Sequence, residues 1–157
     1  MKLQHLAYAA LFFSLMGCLN PSHDSTGATI GPGEPIGLNT NLSKWIVNVE
    51  EAQASYDYDS HQSYGDVSVI VSGSVVYLDS MPVGGCSISS DSHHNPVEDC
   101  KSIIDYFVMI EEAALNGAHN IVAFYDEDLG YPTYIYIDYD ELVADDEIII
   151  HLNVELR

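Results

Sequence analysis

The sequence predicts an α+β domain, with one main helix packed on a mostly antiparallel sheet of about five strands in the order β-β-α-β-β-β. Three observations carry that expectation. Several short segments alternate apolar and polar residues at the period of a half-buried strand, and one longer segment repeats its apolar residues every three or four positions. Gly, Pro and Asp collect in the stretches between them.

The first expected strand is "WIVNVE" at 45–50, where Trp45, Val47 and Val49 alternate with more polar neighbours. The second, "DVSVIVSGSVVYL" at 66–78, sets Val67, Val69, Val71, Val75 and Tyr77 on one face and Ser68, Ser72 and Ser74 on the other. A helix is expected next, in "NPVEDCKSIIDYFVMIEEAALNG". Asn95 is its N-cap, Pro96 its first residue, Glu98 completes a capping-box spacing, and Gly117 lies just past its end. Val97, Cys100, Ile104, Phe107, Ile110 or Glu111, Ala114 and Leu115 supply its apolar face. Three strands close the domain: "NIVAFY" at 120–125, "TYIYID" at 133–138 and "EIIIHLNVEL" at 147–156. In the last, Ile148, Ile150, Leu152, Val154 and Leu156 face the core, and His151, Asn153 and Glu155 face water.

Before this domain, "MKLQHLAYAALFFSLMGC" has the form of a secretory signal peptide, with Lys2 followed by an apolar run from Leu6 to Met16. That run is shorter than the roughly 20 residues a spanning helix needs. "LMGC" at 15–18 resembles a bacterial lipobox. The resemblance implies a signal peptide over 1–17 and a lipid on Cys18 that anchors the chain to a membrane. In a Gram-negative cell, Leu19 in place of an inner-membrane retention Asp implies the outer membrane, so the expected location is the cell envelope. Residues 18–43 are rich in Pro, Gly, Ser, Thr and Asn and read as a flexible tether of roughly 25 to 30 Å reach. One globular domain is expected over 44–157.

With Cys18 assigned to lipid by the lipobox resemblance, Cys86 and Cys100 remain as a pair in an oxidising compartment. A disulfide is the expected state, and a metal site in the segment "GCSISSDSHHNPVEDC" is the alternative, since thiolates and imidazoles are also the usual zinc ligands. On that alternative Asp91, His93 and His94 would hold zinc or copper.

The strand "VSGSVVYL", the helix exit "EEAALNGAHNIVAFY" and a cysteine near the helix start together resemble a broad group of small bacterial envelope lipoproteins. That group is related in fold to the Rcs stress-signalling lipoprotein and to heavy-metal-binding pentameric domains. The resemblance covers roughly residues 67 to 156, and its short apolar and Gly-based motifs specify packing more than chemistry.

The chain holds 4 basic and 24 acidic side chains, for a formal charge of −20. Nucleic acid and anionic lipid surfaces are therefore poor partners. There is no G-x-S-x-G, P-loop, H-E-x-x-H or dinucleotide fingerprint, so the expectation is a protein without catalytic activity. Tyr134 and Tyr136 fall opposite Ile135 and Ile137 and form a candidate interaction patch, either for a protein partner or between copies of the chain. The leading expectation is a lipid-anchored envelope protein with a binding or assembly domain. The alternative is a transition-metal-binding lipoprotein that uses the 86–100 loop.

Overall fold

A computed structural model describes residues 37–90, 100–143 and 145–157. They form an α+β structure dominated by a six-stranded antiparallel sheet in the order β3-β2-β1-β6-β5-β4. The strands are β1 (Tyr56–Tyr64), β2 (Val67–Leu78), β3 (Met81–Ser90), β4 (Asn120–Tyr125), β5 (Pro132–Asp138) and β6 (Ile148–Leu156). Two helices, α1 (Leu38–Trp45) and α2 (Ile103–Leu115), cover one face. The chain winds outward through β1, β2 and β3. It then passes through α2 to the far edge and returns through β4 and β5 to β6, which pairs with β1 at the centre.

The segment 45–50 is a correction to the sequence reading, because it is helical rather than a strand. α1 runs on into a π-turn over Ile46–Glu50, closed by the Glu51 amide donating to the Ile46 carbonyl at 2.7 Å. Trp45 and Val49 are fully buried while Val47 is 57% exposed. Burial at i and i+4 is the helical pattern, and a strand would have buried Val47 with them. Leu38 extends the same buried stripe backwards. Helical, packed chain therefore takes in residues 38–43, which the sequence reading gave to the tether.

The two extra strands come from polar or small-residue segments. β1, "YDYDSHQSY", buries Tyr56, Tyr58, Ser60 and Gln62 and turns Asp59 and His61 outward. β3 pairs with β2 across a two-residue turn, Asp79–Ser80, in which both residues have positive φ (50° and 64°). Such turns match the twist of the strands they join. This places six strands where about five were expected.

The described part of α2 starts later than the sequence suggested. Ser102 is its N-cap: the Asp105 amide donates to Ser102 Oγ at 3.3 Å, and the Ser102 amide donates to Asp105 Oδ2 at 2.6 Å. The expected N-cap, Asn95, lies outside the described residues. The buried face also differs, consisting of Ile103, Tyr106, Phe107, Ile110 and Ala113. Leu115, expected in that face, is 80% exposed in the last turn of the helix.

The core lies between the helices and the inward residues of all but the β3 edge: Val69, Val71, Ile121, Ile135, Ile137 and Ile150 are buried. Trp45 packs edge-on against Tyr56 at 5.2 Å and against Tyr131 at 6.2 Å. Phe107 stacks on Tyr125 at 6.0 Å. Gln62, buried beneath α2, donates to the Tyr106 hydroxyl at 3.1 Å and accepts from Tyr64, so its amide is satisfied. Two glycines answer to space. A Cβ on Gly73 would stand 2.4 Å from the Tyr58 ring, and one on Gly130 (φ 85°) would stand 2.5 Å from the Asn41 carbonyl of α1.

Candidate functional site

Cys86 and Cys100 are joined by a disulfide, with Cα atoms 5.7 Å apart. Cys86 projects from the helix side of edge strand β3, opposite Gly73 of β2. Cys100 lies just before the Ser102 cap, so the bond ties the entry to α2 onto the outermost strand. Both thiols are consumed, which removes thiolate ligands from the metal alternative. Cys18, Asp91, His93 and His94 lie outside the described residues. Among the described residues no group of three or more His, Cys, Asp or Glu is placed to hold a metal ion.

Among the described residues no helix lies on the other face of the sheet. Strand alternation puts Phe124 (β4), Tyr134 and Tyr136 (β5), His151 (β6), His61 (β1) and Ile70 (β2) on it. The register aligns five of them in one row across the sheet: Phe124 opposite Tyr134, Tyr134 opposite His151, His151 opposite His61, and His61 opposite Ile70. Three rings at one end of this row touch in succession. Phe124 and Tyr134 are 5.7 Å apart, and Tyr134 and His151 are 5.1 Å apart. In the next row Val122 faces Tyr136, which faces Ile149. Phe124 and Ile70 are 41% and 42% exposed, so the row is open to solvent at both ends.

Desolvation raises the Tyr136 hydroxyl above its ordinary range, and the carboxylates of Asp138 and Glu147 raise it further. At the opposite end of the sheet Arg157 Nε donates to Asp57 Oδ2 at 2.7 Å, and its Nη2 completes a bidentate pair with Oδ1. The pair borders a shallow hollow lined by Asp59, Ser72, Gly85 and Ser87. A second open hollow, beside the helix exit, includes His119 and Glu141, whose Nε2 and Oε2 atoms are 3.9 Å apart at the surface. Neither hollow brings a hydroxyl or thiol nucleophile against a base among the described residues.

Alternation in the sequence put Tyr134 and Tyr136 on the face opposite Ile135 and Ile137, and the full burial of those two isoleucines agrees with that facing. It missed His61, because β1 has too few apolar residues to read as a strand. It also could not align His61 with His151. That alignment is a matter of register between strands almost 90 residues apart, and nothing in either segment alone encodes it.

Over residues 85–154 the chain is similar to a family of unknown function, DUF6174. The match is shorter than half the chain. It runs from within β3 into β6, stopping at residue 154, and takes in the disulfide, α2, Tyr134, Tyr136 and His151, but not His61. No curated protein and no solved structure matches the chain. Among the described residues no helix is long and apolar enough to cross a membrane.

Proposed function

We propose that this is a lipid-anchored protein of the cell envelope whose domain binds a protein partner through the open face of its sheet, without catalysis. The observation that carries the reading is the row of Phe124, Tyr134 and His151, extended by Tyr136, Val122 and Ile149, on a face that no helix among the described residues covers. Aromatic rings with polar tips supply large contact area at small entropic cost, which is why they anchor protein interfaces. Asp57, Asp59 and Glu155 project from the same face, and the whole chain carries −20. A partner with basic and apolar side chains complements this surface, whereas a second copy would bring like charge against it.

The lipobox-like "LMGC" supports anchorage through Cys18, and in a Gram-negative cell Leu19 in place of a retention Asp favours the outer membrane. The resemblance to small envelope lipoproteins of the Rcs and heavy-metal-binding fold group supports the same location. A photo-crosslinking residue placed at Tyr134 or Tyr136 in cells tests the binding face, with Leu115 on the exit turn of α2 as the control position. Discrete adducts at the two tyrosine positions and none at Leu115 are expected. Equal labelling at all three, or none anywhere, would overturn the docking reading. Anchorage is tested separately, because Cys18→Ser should move the protein from the membrane to the soluble envelope fraction.

A further inference from the structure

We propose that His61 and His151 form a two-imidazole site for a divalent transition ion of the zinc or copper class. The two residues are direct cross-strand partners at the β1–β6 junction, and both are solvent-exposed on the open face. Directly opposed antiparallel residues hold their Cβ atoms about 4.5–5.5 Å apart and project to the same side. Two imidazoles at that spacing converge on one ion at the usual Zn–N distance of about 2.0–2.1 Å. Few other surface arrangements of two side chains are as fixed, because the sheet backbone sets their separation.

Tyr134 lies against His151 at 5.1 Å from the β5 side, and Ile70 is the register partner of His61 on β2. One step along the same face Asp59 stands opposite Asn153. Imidazole donors favour zinc, copper and nickel over calcium and magnesium. The surplus of acidic side chains raises the local concentration of any cation. With two protein donors, the remaining coordination positions are open to water or to a donor from a bound partner. The site stands on strand register alone and does not depend on the docking reading.

The test is calorimetric titration of the full chain, stripped of metal by chelator, with zinc chloride and separately with copper(II) sulfate at pH 7.5. One saturable site is expected, with copper(II) broadening the ring proton resonances of His61 and His151 first. His61→Asn and His151→Asn should each weaken binding by roughly tenfold or more, since a single imidazole remains. Both variants should keep the wild-type thermal midpoint, because the side chains are exposed. A His93→Asn, His94→Asn double variant should bind as the wild type does. Absent saturable binding, unchanged affinity in the His61 and His151 variants, or loss confined to the His93 and His94 variant would each overturn the proposal.

Discussion

Breaking the Cys86–Cys100 bond should cost the domain about 3 kcal/mol of stability. The two residues are 14 positions apart in sequence, so the bond closes a loop of about 15 residues. In the chain-entropy model such a loop loses roughly 10 cal/mol/K in the unfolded ensemble, or about 3 kcal/mol at 25 °C. An unfolding entropy of about 2.1 cal/mol/K per residue gives a domain of this size roughly 0.25 kcal/mol/K, so the thermal midpoint should fall by about 12 °C. Urea unfolding should be followed for oxidised protein, for protein kept reduced, and for a Cys86→Ser, Cys100→Ser variant. The reduced wild type is the sharper comparison, because it retains every side chain that packs beside the bond. Both reduced and variant proteins should unfold at lower urea by the same amount. An unchanged midpoint in the reduced protein would refute the reasoning, since it would mean that the loop ends stay together without the bond. A second consequence is local: among the described residues β3 pairs only with β2, so its amides should exchange faster after reduction while those of β1 and β6 keep most of their protection.

Gly73→Ala should destabilise the domain by about 1–3 kcal/mol in urea unfolding, because the new methyl lands on the buried Tyr58 ring. Stabilisation instead would show that the ring moves aside freely and that the glycine answers no packing need. Ser102→Ala removes the acceptor for the Asp105 amide at the start of α2 and should cost about 1 kcal/mol. Ser102→Thr should recover most of that loss, and an equal loss for both would place the effect outside the cap. Arg157 holds the Asp57 carboxyl below the usual carboxylate range, first through its hydrogen bonds and then through its charge. With the folded value depressed, the contribution of this pair to stability is present above the ordinary Asp range and disappears as pH falls through the folded value. Carboxyl chemical shifts against pH should show the Asp57 midpoint rise in Arg157→Gln; an unmoved midpoint would mean that the two side chains do not pair in solution.

The best-read elements were those whose apolar alternation meets a face that really is half buried. β4, β5 and β6 fall within a residue of their expected bounds, as does β2. In β6 the split between Ile150, Leu152 and Val154 on one side and His151 and Asn153 on the other matches the burial observed. The signal was weaker wherever inward residues were not aliphatic. β1 buries two tyrosines, a serine and a glutamine, and its polar composition hid a strand at the centre of the sheet. In β3 the inward positions include Gly84 and Cys86, whose small side chains leave no hydrophobic period to read. Residues 45–50 misled in the opposite direction. Val47 lies between Trp45 and Val49 and supplied a period of two, but only the outer pair meets the core.

The sequence by itself determined the α+β class, the acidic character, four of the six strands, the principal helix and the side of β5 on which Tyr134 and Tyr136 lie. Those properties follow from local periodicity and composition, which a single segment carries. The tertiary structure alone decided that β1 sits between β2 and β6, that His61 faces His151, and that α1 packs over the turn bearing Gly130. Each of these depends on which distant segments share a ladder or a contact. Such pairings are chosen by burying the whole core at once, under constraints that no single segment contains.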